Sequence, residues 1–326
     1  MTVLFWLSLL PGRILLAQSA EDCQARLLEH RAALKSGDFQ VHVTRFQPRK
    51  QEFHYRIVFS GDRFRVDVTK IDETGHEYVM KRVKDEATRK SIVYSNERYH
   101  HGGRNVVSIE HLTPSFDTGY PTHPRVYGFS TGRFSGWYSV PIPPWKGQLV
   151  EERRVTLDGV PGIVMATYQD GSVQRTFYFD PTRSCEIVRK ETAVRDQFER
   201  LVVTLKEIDG FGWFPMRTEF SEGKTEADIK LVETVEIIPD RVNEQIDPTL
   251  FTLQGLEIPD GYPVYDRTGE SGSKRFVYFD GELIQRDQLA AKSSESNLRW
   301  YIGLFAVIAG VIAIVVSYRS YRATRD

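Results

Sequence analysis

EFHYRIVFSGDRFRVDV, residues 52–68, decides the fold. Phe53, Tyr55, Ile57 and Phe59 alternate with His54 and Arg56. Phe64, Val66 and Val68 alternate with Arg63, Arg65 and Asp67. A period of two puts the apolar set on one face of a strand and the polar set on the other. Gly61-Asp62 between the runs reads as a tight hairpin. The unit is an antiparallel sheet with one apolar and one wet face.

The same period extends outward. Phe39, Val41 and Val43 alternate with Gln40, His42 and Thr44 just upstream. Strands are expected downstream at 76–84, 90–95 and 104–109. A second set is expected at 149–157, 162–169, 172–180, 186–194, 198–208, 216–220 and 226–238, with Asp158-Gly159 and Asp170-Gly171 as turns. Residues 22–35 (DCQARLLEHRAALK) read as a helix closed by Gly37. The fold class is therefore mainly β (α+β), a curled antiparallel half-barrel sheet whose apolar face must be covered.

The segment 110–147 supplies a cover. It holds Phe116, Tyr120, Tyr127, Phe129, Phe134, Trp137, Tyr138 and Trp145 among six prolines between Pro114 and Pro144. It is too rich in Gly and Pro for a long regular element and too aromatic for a solvated linker. It acts either as a lid over a ligand cavity or as a plug that completes the core. Past the sheet, 247–253 (DPTLFTL) reads as a short helical turn with Pro248 at its first position. Asp260-Gly261 and Asp280-Gly281 suggest small hairpins.

The two ends place the chain. Val3–Leu10 is apolar but too short to span a bilayer. Pro11-Gly12 breaks it, and Ala17-Gln18-Ser19 offers small residues at a cleavage site, so residues 1–20 read as a signal peptide. Arg13 lies inside the apolar stretch and the usual charged beginning is missing. Residues 300–318 (WYIGLFAVIAGVIAIVVSY) carry no charge and match one bilayer-spanning helix. Trp300, Tyr301, Tyr318 and Tyr321 sit where interfacial aromatics do, and Arg319, Arg322 and Arg325 follow. The expected plan is then 1–20 signal, 21–246 β domain, 247–284 helical turn and hairpins, 285–299 juxtamembrane linker, 300–318 transmembrane helix and 319–326 cytoplasmic tail. It is a single-pass membrane protein with its N-terminal domain outside. Gly303, Ala306, Gly310 and Ala313 form a stripe of small residues through which two such helices could pair.

Composition excludes several function classes. With 40% hydrophobic and 27% charged residues the chain is globular in type, not disordered. A formal net charge of −1, with no basic block, argues against a nucleic-acid partner. No nucleophile elbow, HExxH pair, P-loop or dinucleotide fingerprint is present. His100, His101, His111 and His123 lack ligand spacing and read as solvated loop histidines, so no metal site is expected. Glu151-Glu152 within EERR reads as a solvated strand face. No residue takes a catalytic role and no cofactor is implied. Cys23 and Cys185 are the two cysteines; they either pair as a disulfide or stand as separate thiols.

The order helix, long alternating strands, covering insertion and further strands resembles the lipoprotein localisation factor (LolA/LolB-like) superfamily, here as a membrane-anchored variant. The resemblance is carried by EFHYRIVFSGDRFRVDV and by FYFDPTRSCEIVRKE, in which Phe177–Asp180, Pro181 and Ile187–Lys190 match a strand, an Asp-Pro turn and a strand. FGWFPMRTEF resembles a later edge of that pattern. It covers roughly residues 22–240. It implies a half-barrel of strands wrapped over helices, and binding of acyl chains or lipoproteins, or envelope-stress sensing. The expected function is a non-enzymatic extracytoplasmic binding protein that holds a lipid or acyl chain under an aromatic lid. Tyr55, Ile57 and Val66 would form the floor, with Phe129, Phe134, Trp137 and Tyr138 above. The alternative is a structural or envelope-signalling interaction protein with a filled core.

Overall fold

A computed structural model describes residues 19–285 apart from 48, 72–76, 86–87, 89, 96–105, 112–122, 129–146 and 270–271. The quoted stretch folds as read: β2 (Gln51–Ser60) and β3 (Arg63–Ile71) pair antiparallel about Gly61-Asp62. Gly61 takes a φ of 56°, the left-handed conformation such a turn requires.

The neighbours are β1 (Ser36–Arg45), β4 (Glu77–Asp85), β5 (Lys90–Ser95) and β6 (Val106–His111), paired in chain order. A second meander comprises β7 (Gln148–Leu157), β8 (Val160–Asp170), β9 (Val173–Asp180), β10 (Glu186–Val194), β11 (Gln197–Ile208), β12 (Gly212–Gly223) and β13 (Lys230–Val242). β13 lies antiparallel against β1 and fuses the two meanders. Pro239 sits in β13 beside the register shift at Asp38/Phe39, where its missing N–H is tolerated.

Three late strands extend the other flank: β14 (Pro263–Asp266), β15 (Lys274–Phe279) and β16 (Glu282–Ile284). β14 runs parallel to β6, the one parallel pairing among the described strands. The hairpin at Asp280-Gly281 joins β15 to β16 as expected. Asp260-Gly261 instead precedes β14. The sixteen described strands form one open curled sheet with β7 and β16 at its edges.

Each face has its own cover. The inner face carries Phe39, Val41, Tyr55, Ile57, Phe59, Phe64 and Val66. α1 (Ala20–Ala32) packs on it through Cys23 and Leu27, against Val164, Ala166, Phe177 and Phe179. α1 starts earlier than residue 22, because Ser19 caps it. The Ser19 side chain accepts from the Asp22 N–H at 3.1 Å, and the Asp22 carboxylate accepts from the Ser19 N–H at 3.2 Å. Ser19 and Ala20, placed in the leader by the sequence, thus begin this helix. The outer face carries Val58, Val83 and Tyr94, and residues 246–264 cover it with Ile246, Phe251, Leu256 and Ile258. Arg65, on that face, donates to the carbonyls of Leu250 (3.1 Å) and Gly255 (2.6 Å) and forms an ion pair with Asp67. The turn at Pro248–Phe251 is a 3-10 turn capped by Asp247.

The expected fold class needs one correction. Among the described residues no helix is long and apolar enough to cross a membrane. The α-helix described there, α1, has 13 residues, about 20 Å of length, and carries Glu21, Asp22, Arg26 and Arg31. Among the described residues the fold is a mainly β, open curled sheet with one α-helix, and the expected transmembrane helix is not supported. Residues 300–318, with the stripe Gly303, Ala306, Gly310 and Ala313, lie outside the described residues, as does most of 1–20. Single-pass anchoring and pairing through that stripe have no support from the structure.

Candidate functional site

The site is built on the centre of the inner face. Tyr55 and Ile57 of β2 face Val68 and Val66 of β3, and Val41 and Phe39 of β1 face them from the other side. Tyr55, Ile57 and Val66 are all buried in one cluster, so the structure does bring these three expected residues together. Phe129, Phe134, Trp137 and Tyr138 lie outside the described residues. One aromatic of the same segment, Tyr127, is described, and it belongs to the cluster that includes Tyr55 and Val66.

Tyr127 is held from behind. It follows a 3-10 turn, Pro124–Val126, and Arg31 grips that turn from the last turn of α1. The Arg31 guanidinium donates to the carbonyl of Tyr127 at 3.0 Å and to that of Pro124 at 3.3 Å. It also donates to both oxygens of Glu186, at 2.8 and 2.6 Å, and lies 4.9 Å from the Phe214 ring centroid. Both charges are sealed from water. Burial raises the pKa of the Glu186 carboxyl, and Arg31 pulls it back. Arg125 donates to the carbonyl of Leu34 at 2.7 Å and fixes the turn a second time.

Within this apolar site one polar atom is unsatisfied. The Tyr127 hydroxyl is buried with no hydrogen-bond partner among the described residues. Burial, with Tyr55 adding to it, raises its pKa well above the ordinary phenol value, so it is a neutral O–H donor. An orphaned buried hydroxyl costs roughly 1–3 kcal/mol, which a ligand acceptor would recover. His123, read from sequence as solvated, is instead buried, 4.3 Å from Phe59 and 5.3 Å from Phe64 by ring centroid. Its Nδ1 accepts from the Arg125 N–H at 3.2 Å, and burial lowers its pKa well below 6.5, so it is neutral.

The remaining candidates fall elsewhere. Among the described residues no group of three or more His, Cys, Asp or Glu is placed to hold a metal. His111 is exposed and contacts the Thr268 carbonyl. Glu151 and Glu152 lie on the exposed edge strand β7, and Glu152 accepts from the N–H of Ala20 at 3.1 Å. Cys23 and Cys185 are both buried, as free thiols, in the cluster beneath α1.

No family model matches the chain, and no curated protein matches it significantly. Among solved structures it is similar to a LolA superfamily protein from Nitrosomonas europaea, at 12% identity and a TM-score of 0.40, over 71% of this chain and 98% of that one. It is also similar to a DUF1329 family protein from Desulfovibrio piger, at 9% identity and a TM-score of 0.37, over 72% and 98%. Neither likeness is close enough to carry a residue or a role across.

Proposed function

We propose that this chain is a non-enzymatic, extracytoplasmic binding protein whose inner sheet face takes the acyl part of a lipid or of a lipidated protein. The observation that carries the reading is the Tyr127 hydroxyl, a neutral donor without a partner among the described residues, in an apolar site beside Tyr55. A lipid matches that chemistry: hydrocarbon for Ile57 and Val66, and an ester or amide carbonyl for the hydroxyl. On sequence grounds, Phe129, Phe134, Trp137 and Tyr138 complete the wall.

The test compares the full chain with Tyr127→Phe. Mass spectrometry of the native protein should show copurifying lipid. Displacement of a fluorescent fatty acid should be about tenfold weaker in the variant, the value of one hydrogen bond. The unfolding temperature of the ligand-free variant should be unchanged or higher, because an orphaned group has been removed. A bare wild-type protein that takes up no fatty acid would overturn the proposal and leave a filled core. A variant that is destabilised but binds normally would assign the hydroxyl to structure.

A further inference from the structure

Cys23, Leu27 and Arg31 are spaced by four residues and form the buried stripe of α1. The sheet answers this stripe with two consecutive residues, Cys185 and Glu186. Neighbours on a regular strand point to opposite faces, so one of the two should be lost to the other side. The backbone prevents this. Ser184 and Cys185 both take left-handed conformations, with φ of 56° and 58°, just before β10 begins at Glu186. Two adjacent non-glycine residues in that region are costly and persist only where the surroundings demand them. Here the turn leaves Cys185 and Glu186 both buried beneath α1. Glu186 meets Arg31, and Cys185 shares one buried cluster with Cys23.

We propose that Cys23 and Cys185 form a disulfide that staples the first turn of α1 to the start of β10, at the opposite end of the stripe from the Arg31–Glu186 pair. These are the only two cysteines, so no mispairing competes. Chemically, the Cys185 thiolate attacks a small-molecule disulfide and releases one thiol, leaving a mixed disulfide. Cys23 then loses its proton and attacks the Cys185 sulfur, releasing the second thiol. Two protein thiols are oxidised and one disulfide oxidant is reduced. Both sulfurs are sealed in the folded protein, so the exchange belongs to the stage before α1 docks.

The experiment refolds the full chain in mixed reduced and oxidised glutathione, then counts thiols after unfolding in guanidinium. No reactive thiol is expected without dithiothreitol and two with it. Reduction should lower the unfolding temperature by roughly 10 °C, because the closed loop spans most of the sheet. Cys23→Ser and Cys185→Ser should each lose the response to dithiothreitol. Two reactive thiols in the refolded wild type, or an unfolding temperature indifferent to dithiothreitol, would overturn the proposal. The thiol count needs only the wild type, so a variant that fails to fold does not remove the test. Neither readout involves a lipid, so this staple and the binding reading stand or fall separately.

Discussion

Arg31 ties three parts of the molecule together with one side chain: α1, β10 and the turn that carries Tyr127. Arg31→Met should cost about 3–5 kcal/mol, measured by urea unfolding, because Glu186 is left buried and uncompensated. Arg31→Met combined with Glu186→Leu should recover most of that loss, since a well-packed apolar pair replaces two desolvated charges. If the double variant is no better than the single one, the two carbonyls of Pro124 and Tyr127 are the larger part of the cost. At this scale the sequence was legible where alternation rules. Tyr55, Ile57 and Val66 fall on one face by parity alone, and they are buried together. Arg31 was not legible, because a charge on a short helix reads as solvated unless the buried frame is known. The Cys23–Leu27–Arg31 spacing was the available signal. His123 was missed for the same reason: its burial depends on Phe59 and Phe64, far away in sequence.

Among the elements, strands were easier to read than their partners. β2, β3, β5 and β10 lie where the period of two places them, and the Gly61-Asp62 turn joins β2 to β3. β14 was not readable as part of the main sheet, since its parallel pairing to β6 rests on contacts that no local pattern encodes. The cover on the outer face, residues 246–264, was likewise hidden. Its attachment can be tested at Arg65. Arg65→Leu strands the carbonyls of Leu250 and Gly255 and leaves Asp67 without its ion-pair partner. A loss of about 2–4 kcal/mol is expected, with faster proteolytic cleavage between 244 and 264 as the direct readout. Gly255→Ala should act in the same direction, because a Cβ there would lie 2.1 Å from the Thr249 carbonyl oxygen.

At the level of the whole molecule, the sheet is two meanders joined along a single seam, β1 against β13. Asn243 clasps the end of that seam: its side chain accepts from the Lys35 N–H at 2.7 Å and donates to the Ala33 carbonyl at 3.1 Å. A chain ending at residue 229 lacks β13 and exposes the edges of β1 and β12. It should aggregate on size-exclusion chromatography. A chain ending at 244 keeps the seam but uncovers Val58 and Val83. It should stay folded by circular dichroism and bind a hydrophobic dye on its bare outer face. Aggregation of the second chain, or solubility of the first, would relocate the decisive contact from the seam to the outer cover.

The seam also sets a clock. β1 is among the first strands made, and its partner on one side is β13, more than half the chain later. Until residue 242 has emerged, one edge of β1 has nothing to bond, and neither half of the inner layer can close. Long-range pairing of this kind slows folding. The nascent chain is thereby kept open until β13 has been made, long enough for a chaperone to hold it or for thiols to meet an oxidant before it sets.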